Sequence, residues 1–434
     1  MANTFPFLKT AWHKAKNNAQ LVSICLILLT LPLHFRFNSI AIILFVLVSL
    51  YPFKTAHFLT FKFTKTLLLP IVLFCLMLLS LFWSIDFDKS VAALGQQIIL
   101  VIFPVCFLIK PIKSQNVGTK ILEIFSYGMA AYGLFYVLHA TFRFIETQNT
   151  EVFFYHELVT FELNAIYVSV FVAMAFFGLY TKTIKSKIDY LSLLLLGVVL
   201  ILLSSKNIII VFFLLLISHL LLFRKHNARK VVLLFAGFFI VLSIGFFSKI
   251  KDRFWVEIQS NSSQAVTTTI IPGGLVNTVS VHDAWFKPRF ELNDYFPGAA
   301  IRVYQARIFF ELLQEDAIFF TGYGLDATKN KIIQKQITHN LYPEYGTFNF
   351  HNQYLQTFAE IGFFGFLIVV IMLLLSLKNA IKTKNFCAFV FAVLMISVFF
   401  TESFLMRVRG LVFFTVLFCI FNTIFAKTNP TKNQ

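Results

Sequence analysis

Apolar runs long enough to approach a bilayer's width recur along almost the whole chain, and they leave few folds open. Twelve can be read, at roughly 20–35, 39–53, 66–84, 90–109, 119–142, 163–181, 189–204, 207–223, 230–248, 352–377, 386–402 and 410–426. About 20 helical residues cross a hydrocarbon core, so the shorter runs must extend into their polar flanks or tilt little. Hydrophobic residues make up 58% of the 434, and charged ones only 13%. A water-soluble chain of that size would lack the polar cover its surface needs. The expected fold is therefore an all-α polytopic membrane protein with about 12 transmembrane helices. No internal repeat or low-complexity tract interrupts it.

The formal net charge of +17 is first a question of topology. With the N-terminus in the cytoplasm, the inside loops and tails hold 21 lysines and arginines. The short outside loops hold six, and the long segment 249–350 holds ten. This bias predicts cytoplasmic termini. It assigns the basic balance to orientation and leaves no call for a nucleic-acid partner. The chain divides into a membrane region at 1–248 (about nine helices), a large periplasmic loop region at 249–350, a second membrane region at 351–426 (about three helices) and a tail at 427–434. The loop region reads as loop with short elements. From Ala300 a helical pattern sets in, with Arg302, Ala306, Phe310 and Leu313 near one stripe. The basic start before the first run resembles a signal-peptide n-region, but without a small-residue cleavage site a retained first helix is expected. Cys25, Cys75, Cys106, Cys387 and Cys419 fall in or beside apolar runs without metal-ligand spacing and read as core fillers.

Ionisable groups near membrane depth are costly and are commonly paired or functional. Four segments send such groups toward the external side: "LSSKN" with Lys206, "IRVYQAR" with Arg302 and Arg307, "HNQYL" with His351, Asn352 and Tyr354, and "TESFLMRVRG" with Glu402, Arg407 and Arg409. Plainer readings stand beside each. Lys206 suits an ordinary loop, and Arg302 and Arg307 suit the surface of a loop helix. Glu402 and Arg409, seven apart, suit an ion pair on one helical face. Gly322 and Gly324 suit a turn as well as a ligand cradle. Taken together, the cations fit a lipid-linked phosphate or pyrophosphate, and a histidine can accept a proton near neutral pH. Asn352, Gln356 and Glu360 repeat every four residues and form a polar stripe turned toward protein. Gly362 and Gly365 permit close helix contact.

The stretch from about Arg302 to Gly365 resembles the O-antigen ligase and O-antigen polymerase superfamily of bacterial envelopes. It carries an arginine-bearing helix, a "GYG" turn and then "HNQYLQTFAEIGFFG". "LFWS" at 81–84, "SSKN" at 204–207 and "TESFLMRVRG" at 401–410 are weaker signatures of the same kind. The resemblance implies a glycosyltransferase C-like membrane fold in the bacterial inner membrane, with no cofactor and no metal. It implies glycan transfer from an undecaprenyl-pyrophosphate carrier to lipid A-core or to a second lipid-linked glycan. Many relatives carry arginine at the position of Lys206, so here the charge is kept while bidentate geometry is lost.

On this resemblance His351, Asn352 and Arg302 are the expected catalytic residues, with His351 as base. Lys206, Arg307, Arg407 and Arg409 are expected to hold the pyrophosphate, with Arg302 favoured over Arg307 as the essential arginine. Glu402, Tyr354, Glu360, Gly322 and Gly324 are expected in support. O-antigen ligation to lipid A-core is the leading reading and repeat-unit polymerisation its alternative. A lipid-linked sugar transporter would instead place charges in both leaflets and show repeat symmetry. A non-catalytic envelope assembly protein is a third reading.

Overall fold

The computed structural model describes residues 19–51, 65–112, 114–160, 162–223, 267–271 and 274–425. The run expected at 230–248 lies outside them. The other eleven runs are helical: α1 (Ala19–Leu29), α2 (Phe35–Leu50), α3 (Leu68–Leu79), the pair α4 (Phe87–Gln97) and α5 (Ile99–Ile109), α6 (Gln115–Thr147), α7 (Ala165–Tyr180), α8 (Lys187–Leu202) and α9 (Lys206–Ser218). The helices α10 (Val281–Phe286), α11 (Gly298–Glu315) and α12 (Lys329–Thr338) follow. The last three apolar helices are α13 (Gln353–Lys382), α14 (Phe386–Phe399) and α15 (Val408–Phe425). Among the described residues, five helical stretches are long and apolar enough to cross a membrane, and shorter apolar helices accompany them. Together they make a polytopic, almost wholly helical membrane protein.

Its polarity is arranged for lipid. α2 turns Ile40, Ile43 and Leu47 outward, each more than half exposed, which only a hydrocarbon surround makes favourable. α7 and α15 are buried nearly all round and form the centre. Small and polar residues draw these helices together. Ser126 on α6 donates to Ala175 O on α7 at 2.6 Å, and a Cβ on Gly410 would stand 2.1 Å from Phe404 O.

Local chemistry moves several boundaries. α1 stops early, at Pro32 and at a turn whose Leu31 and Leu33 carbonyls accept from Arg409. α4 begins at a cap where Asp86 accepts from Lys89 N. α6 outruns its apolar centre by several residues at each end, because the polar flanks continue the helix. Of the cysteines, Cys75 is exposed rather than buried.

Between residues 267 and 350 the described chain carries short elements. β1 (Thr267–Ile271) and β2 (Gly274–Thr278) form an antiparallel hairpin, and β3 (Asp294–Tyr295) joins β2 in parallel. A second hydrophobic cluster closes beneath it around Phe290, Phe296, Tyr304, Ile308 and Phe350. The inner stripe of α11 is Ile301, Tyr304, Ile308 and Leu312. The stripe of Arg302, Ala306, Phe310 and Leu313 faces outward, with Phe310 45% exposed. That turn of the helix frees Arg302 to reach toward the membrane helices.

A buried charge group braces the same region. Glu311 meets Arg307 at 2.7 Å, Lys335 at 3.1 Å and His339 at 3.4 Å. Burial opposes the charge on Glu311, but hydrogen bonds from Arg307 and Lys335 outweigh it and hold the carboxyl below its ordinary range. Burial pushes the His339 imidazole below its usual value, against the pull of Glu311.

Candidate functional site

The site is built where α11, the start of α13 and the 401–407 connection meet. Arg302 reaches from α11 to that connection. Its Nε donates to Thr401 O at 2.9 Å, one terminal nitrogen to Gly298 O at 2.8 Å, and the other to Glu402 Oε1 at 3.1 Å. The other Glu402 oxygen lies 3.7 Å from His351 Nδ1. One largely buried carboxylate, its side chain 9% exposed, thus stands between a guanidinium and an imidazole that both keep some exposure.

His351 is held in an unusual backbone conformation. Its φ is +46°, a left-handed value that a non-glycine residue adopts at a cost. Side chains fix the backbone on each side: His351 N donates to Asn349 Oδ1 at 2.9 Å, and Phe350 N donates to Gln356 Oε1 at 3.2 Å. Asn352 then caps α13, accepting from Tyr354 N at 2.9 Å and Leu355 N at 3.1 Å, while its amide donates to Phe400 O. Its side chain is therefore occupied in starting the helix. Tyr354 hydroxyl donates to Ile396 O and ties α13 to α14.

The "GYG" turn repairs a broken helix. α13 is interrupted at Gly362, with φ +72° and ψ −169°. Phe363 N, deprived of its own acceptor, donates to Phe319 O at 2.8 Å. The freed carbonyls of Ala359 and Glu360 accept from Tyr323 N and Gly324 N at 2.8 and 2.9 Å. This close approach explains the glycines. A Cβ on Gly322 would stand 2.3 Å from the Glu360 carbonyl carbon, and one on Gly324 would stand 2.4 Å from Ser84 Oγ. The "LFWS" segment clamps the turn's other edge. Trp83 Nε1 donates to Thr321 O, and Ile85 N donates to Tyr323 O. Glu360 is buried inside this joint, accepting from Gln356 Nε2 at 2.7 Å. In this structure Gly322, Gly324 and Glu360 lie in a helix splice.

The remaining cations divide. Lys206 is the first residue of α9, and its neighbour Asn207 is bound into the site. Asn207 donates to Thr401 Oγ1 at 2.9 Å and to Ser397 O at 3.1 Å, and accepts from Ser397 Oγ at 2.7 Å. Lys206 thereby starts its helix beside the Glu402 turn. Arg407 is exposed on the same connection, past the turn Phe404–Met406. Arg307 lies in the external charge group described above. Arg409 spends its donors on the carbonyls of Leu31, Leu33 and Glu162. The seven-residue spacing of Glu402 and Arg409 does not place them on one helical face, because α15 begins only at Val408. Glu402 pairs with Arg302 instead.

Residues 191–370 match the model of a family described as O-antigen ligase. The matched region is similar to the O-antigen ligase-related superfamily. No curated protein matches the chain. The O-antigen ligase match spans α9, the external region, the "GYG" turn, His351 and most of α13, and it stops before Glu402. It brings O-antigen ligase or polymerase-type glycosyl transfer by a bacterial membrane enzyme, with lipid-linked glycan substrates. Among the described residues, no three His, Cys, Asp or Glu side chains gather so as to hold a metal ion.

The sequence reading passed over four contributors to this O-antigen ligase-like site: Asn207, Asn349, Gln353 and the Thr401 backbone. Gln353 is buried and accepts from Leu405 N at 2.7 Å, and Ser403 Oγ donates to Asn349 Oδ1 at 3.2 Å. Each lies within two residues of a group already singled out. An amide side chain beside an apolar run was the signal available.

Proposed function

We propose that this protein transfers a glycan from an undecaprenyl-pyrophosphate carrier to an acceptor hydroxyl at the periplasmic face of the inner membrane, as an O-antigen ligase acting on lipid A-core. The observation that carries the reading is the Arg302–Glu402–His351 arrangement where membrane helices end against the external region. An imidazole beside a guanidinium suits a reaction that removes a proton from a nucleophile while negative charge develops on a diphosphate. The excess of lysine and arginine in the opposite loops supports the orientation, with cytoplasmic termini and about twelve spans of a glycosyltransferase C-like fold.

In this mechanism His351 accepts the proton of the acceptor hydroxyl. The hydroxyl oxygen forms a bond to the anomeric carbon as the bond from that carbon to the phosphate oxygen breaks. The carrier diphosphate leaves with the electron pair, toward Arg302 and Lys206. One displacement inverts the anomeric centre. Neither a metal ion nor a cofactor enters. Arg307 and Arg409 stand outside this step, because they are bound among residues away from the Arg302–Glu402–His351 group: Arg307 to Glu311 and Lys287 O, Arg409 to the carbonyls of Leu31, Leu33 and Glu162.

Polymerisation of repeat units is the second reading, since a carrier-linked acceptor would meet the same residues. Reconstituted vesicles holding lipid-linked glycan and lipid A-core are the test. The wild type is expected to give glycosylated core, and His351→Ala to insert normally and give none. Near-normal transfer by that variant removes His351 from the mechanism. Transfer only onto a second carrier-linked unit replaces ligase by polymerase.

A further inference from the structure

The Glu402 carboxylate has two neighbours that cannot both be served equally. Oε1 accepts from Arg302 at 3.1 Å, while Oε2 stops 3.7 Å from His351 Nδ1, a little beyond hydrogen-bond reach. We propose that Glu402 is a positioning residue that changes partner: an arriving diphosphate takes over the Arg302 cation, and the released carboxylate closes on His351 Nδ1. This rests on the glycosyl-transfer reading and adds to it a link between donor binding and the readiness of the base.

The surroundings confine the exchange to one side chain. Both Thr401 N and Glu402 N donate to Val398 O, at 3.0 and 2.8 Å, and Asn207 grips the Thr401 hydroxyl. The Glu402 backbone is thus fixed. His351 is fixed as well, by the bonds of residues 350 and 351 to Gln356 and Asn349. Arg302 keeps its bonds to Gly298 O and Thr401 O whichever anion it faces, so its guanidinium stays in place. Only the carboxylate needs to move, by less than an ångström at the histidine. A carboxylate on Nδ1–H leaves Nε2 as the basic nitrogen and stabilises the imidazolium formed when Nε2 takes the acceptor's proton. Without diphosphate, Glu402 stays on Arg302 and the base is not oriented.

The exchange has a signature that a bracing role lacks: losing the carboxylate tightens diphosphate binding and slows transfer. Farnesyl diphosphate binding is measured by calorimetry on purified protein, for the wild type, Glu402→Gln, Glu402→Ala, Arg302→Ala and Arg302→Ala/Glu402→Gln. Two neutral variants at 402 guard against one failing to insert. Binding about tenfold tighter in the 402 variants, with kcat for transfer about 100-fold lower and the gain gone in the Arg302→Ala background, supports the exchange. Unchanged or weaker binding in both 402 variants overturns it. A gain that persists without Arg302 also overturns it, since that is only removal of a nearby negative charge. Wild type that binds no farnesyl diphosphate overturns the donor reading itself.

Discussion

Replacing Gly362 by alanine tests the splice in α13 directly. Two costs add. A backbone at φ +72° and ψ −169° lies in a region essentially confined to glycine and disfavours a β-carbon by roughly 1–3 kcal/mol. The new Cβ would also stand 2.2 Å from Phe320 O, 2.3 Å from Phe320 C and 2.7 Å from Thr321 N. These are backbone atoms with no rotamer to change, so residues 319–321 must shift. Shifting them strains three hydrogen bonds, from Phe363 N, Tyr323 N and Gly324 N, each worth about 0.5–1.5 kcal/mol net. Some of that returns if Phe363 N regains its helical acceptor. The expected loss is roughly 3 kcal/mol. Thermal unfolding in detergent, followed by tryptophan fluorescence, measures it. Gly95→Ala is the control, since its Cβ would meet nothing within 4 Å and a helical alanine gains about 0.5–1 kcal/mol. A Gly362→Ala melt that coincides with that of Gly95→Ala refutes the broken helix.

Asn207→Ala should keep the protein inserted while lowering kcat about tenfold with little change in donor KM, because three hydrogen bonds that fix the Glu402 turn disappear; steady-state kinetics in vesicles decides it. Arg302→Ala should weaken farnesyl diphosphate binding more than Arg307→Ala, and the reverse ranking in calorimetry would move the essential arginine. For Arg307→Ala the larger effect should be a lower melting temperature of the external region, since Glu311 loses a partner. That region should also be acid-sensitive. His339 and Glu311 both have depressed values in the folded state, so their stabilisation is full above the unfolded values, about 6.5 for the imidazole. It is lost as pH falls through the folded ones. A variant keeping Trp285 as its single tryptophan should melt progressively lower below that pH, and His339→Gln should flatten the first part of the decline.

Apolar runs made the helices readable because lipid demands a sustained signal, while polar flanks such as Gln115 and Thr147 and the turn at Pro32 hid the true ends. Arg302, His351 and Glu402 were legible as polar residues placed against apolar ones. Their pairing was not, because residues about 50 and 100 positions apart meet only through the packing of α11 on α13 and the 401–407 connection. Spacing misled at Glu402 and Arg409, where an assumed helix is a 3₁₀ turn. At Gly322 and Gly324 the sequence leaves a turn and a ligand cradle open, and only their hydrogen-bond partners show a turn spliced to α13. Asn352 caps α13, as its place at the head of an apolar run foretold, while Asn207, passed over in the sequence, ties the 401–407 connection to α9.

The splice also dictates an order of assembly. Residues 319–324 are synthesised before α13, yet they supply the donors and the acceptor that this helix lacks at its own break. When α13 leaves the ribosome and enters the bilayer, its gap can close only against a strand already delivered to that side and already shaped. The backbone of α13 is therefore completed only when residues 319–324 have taken their shape beside it, so the break ties the folding of this helix to that of the region ahead of it.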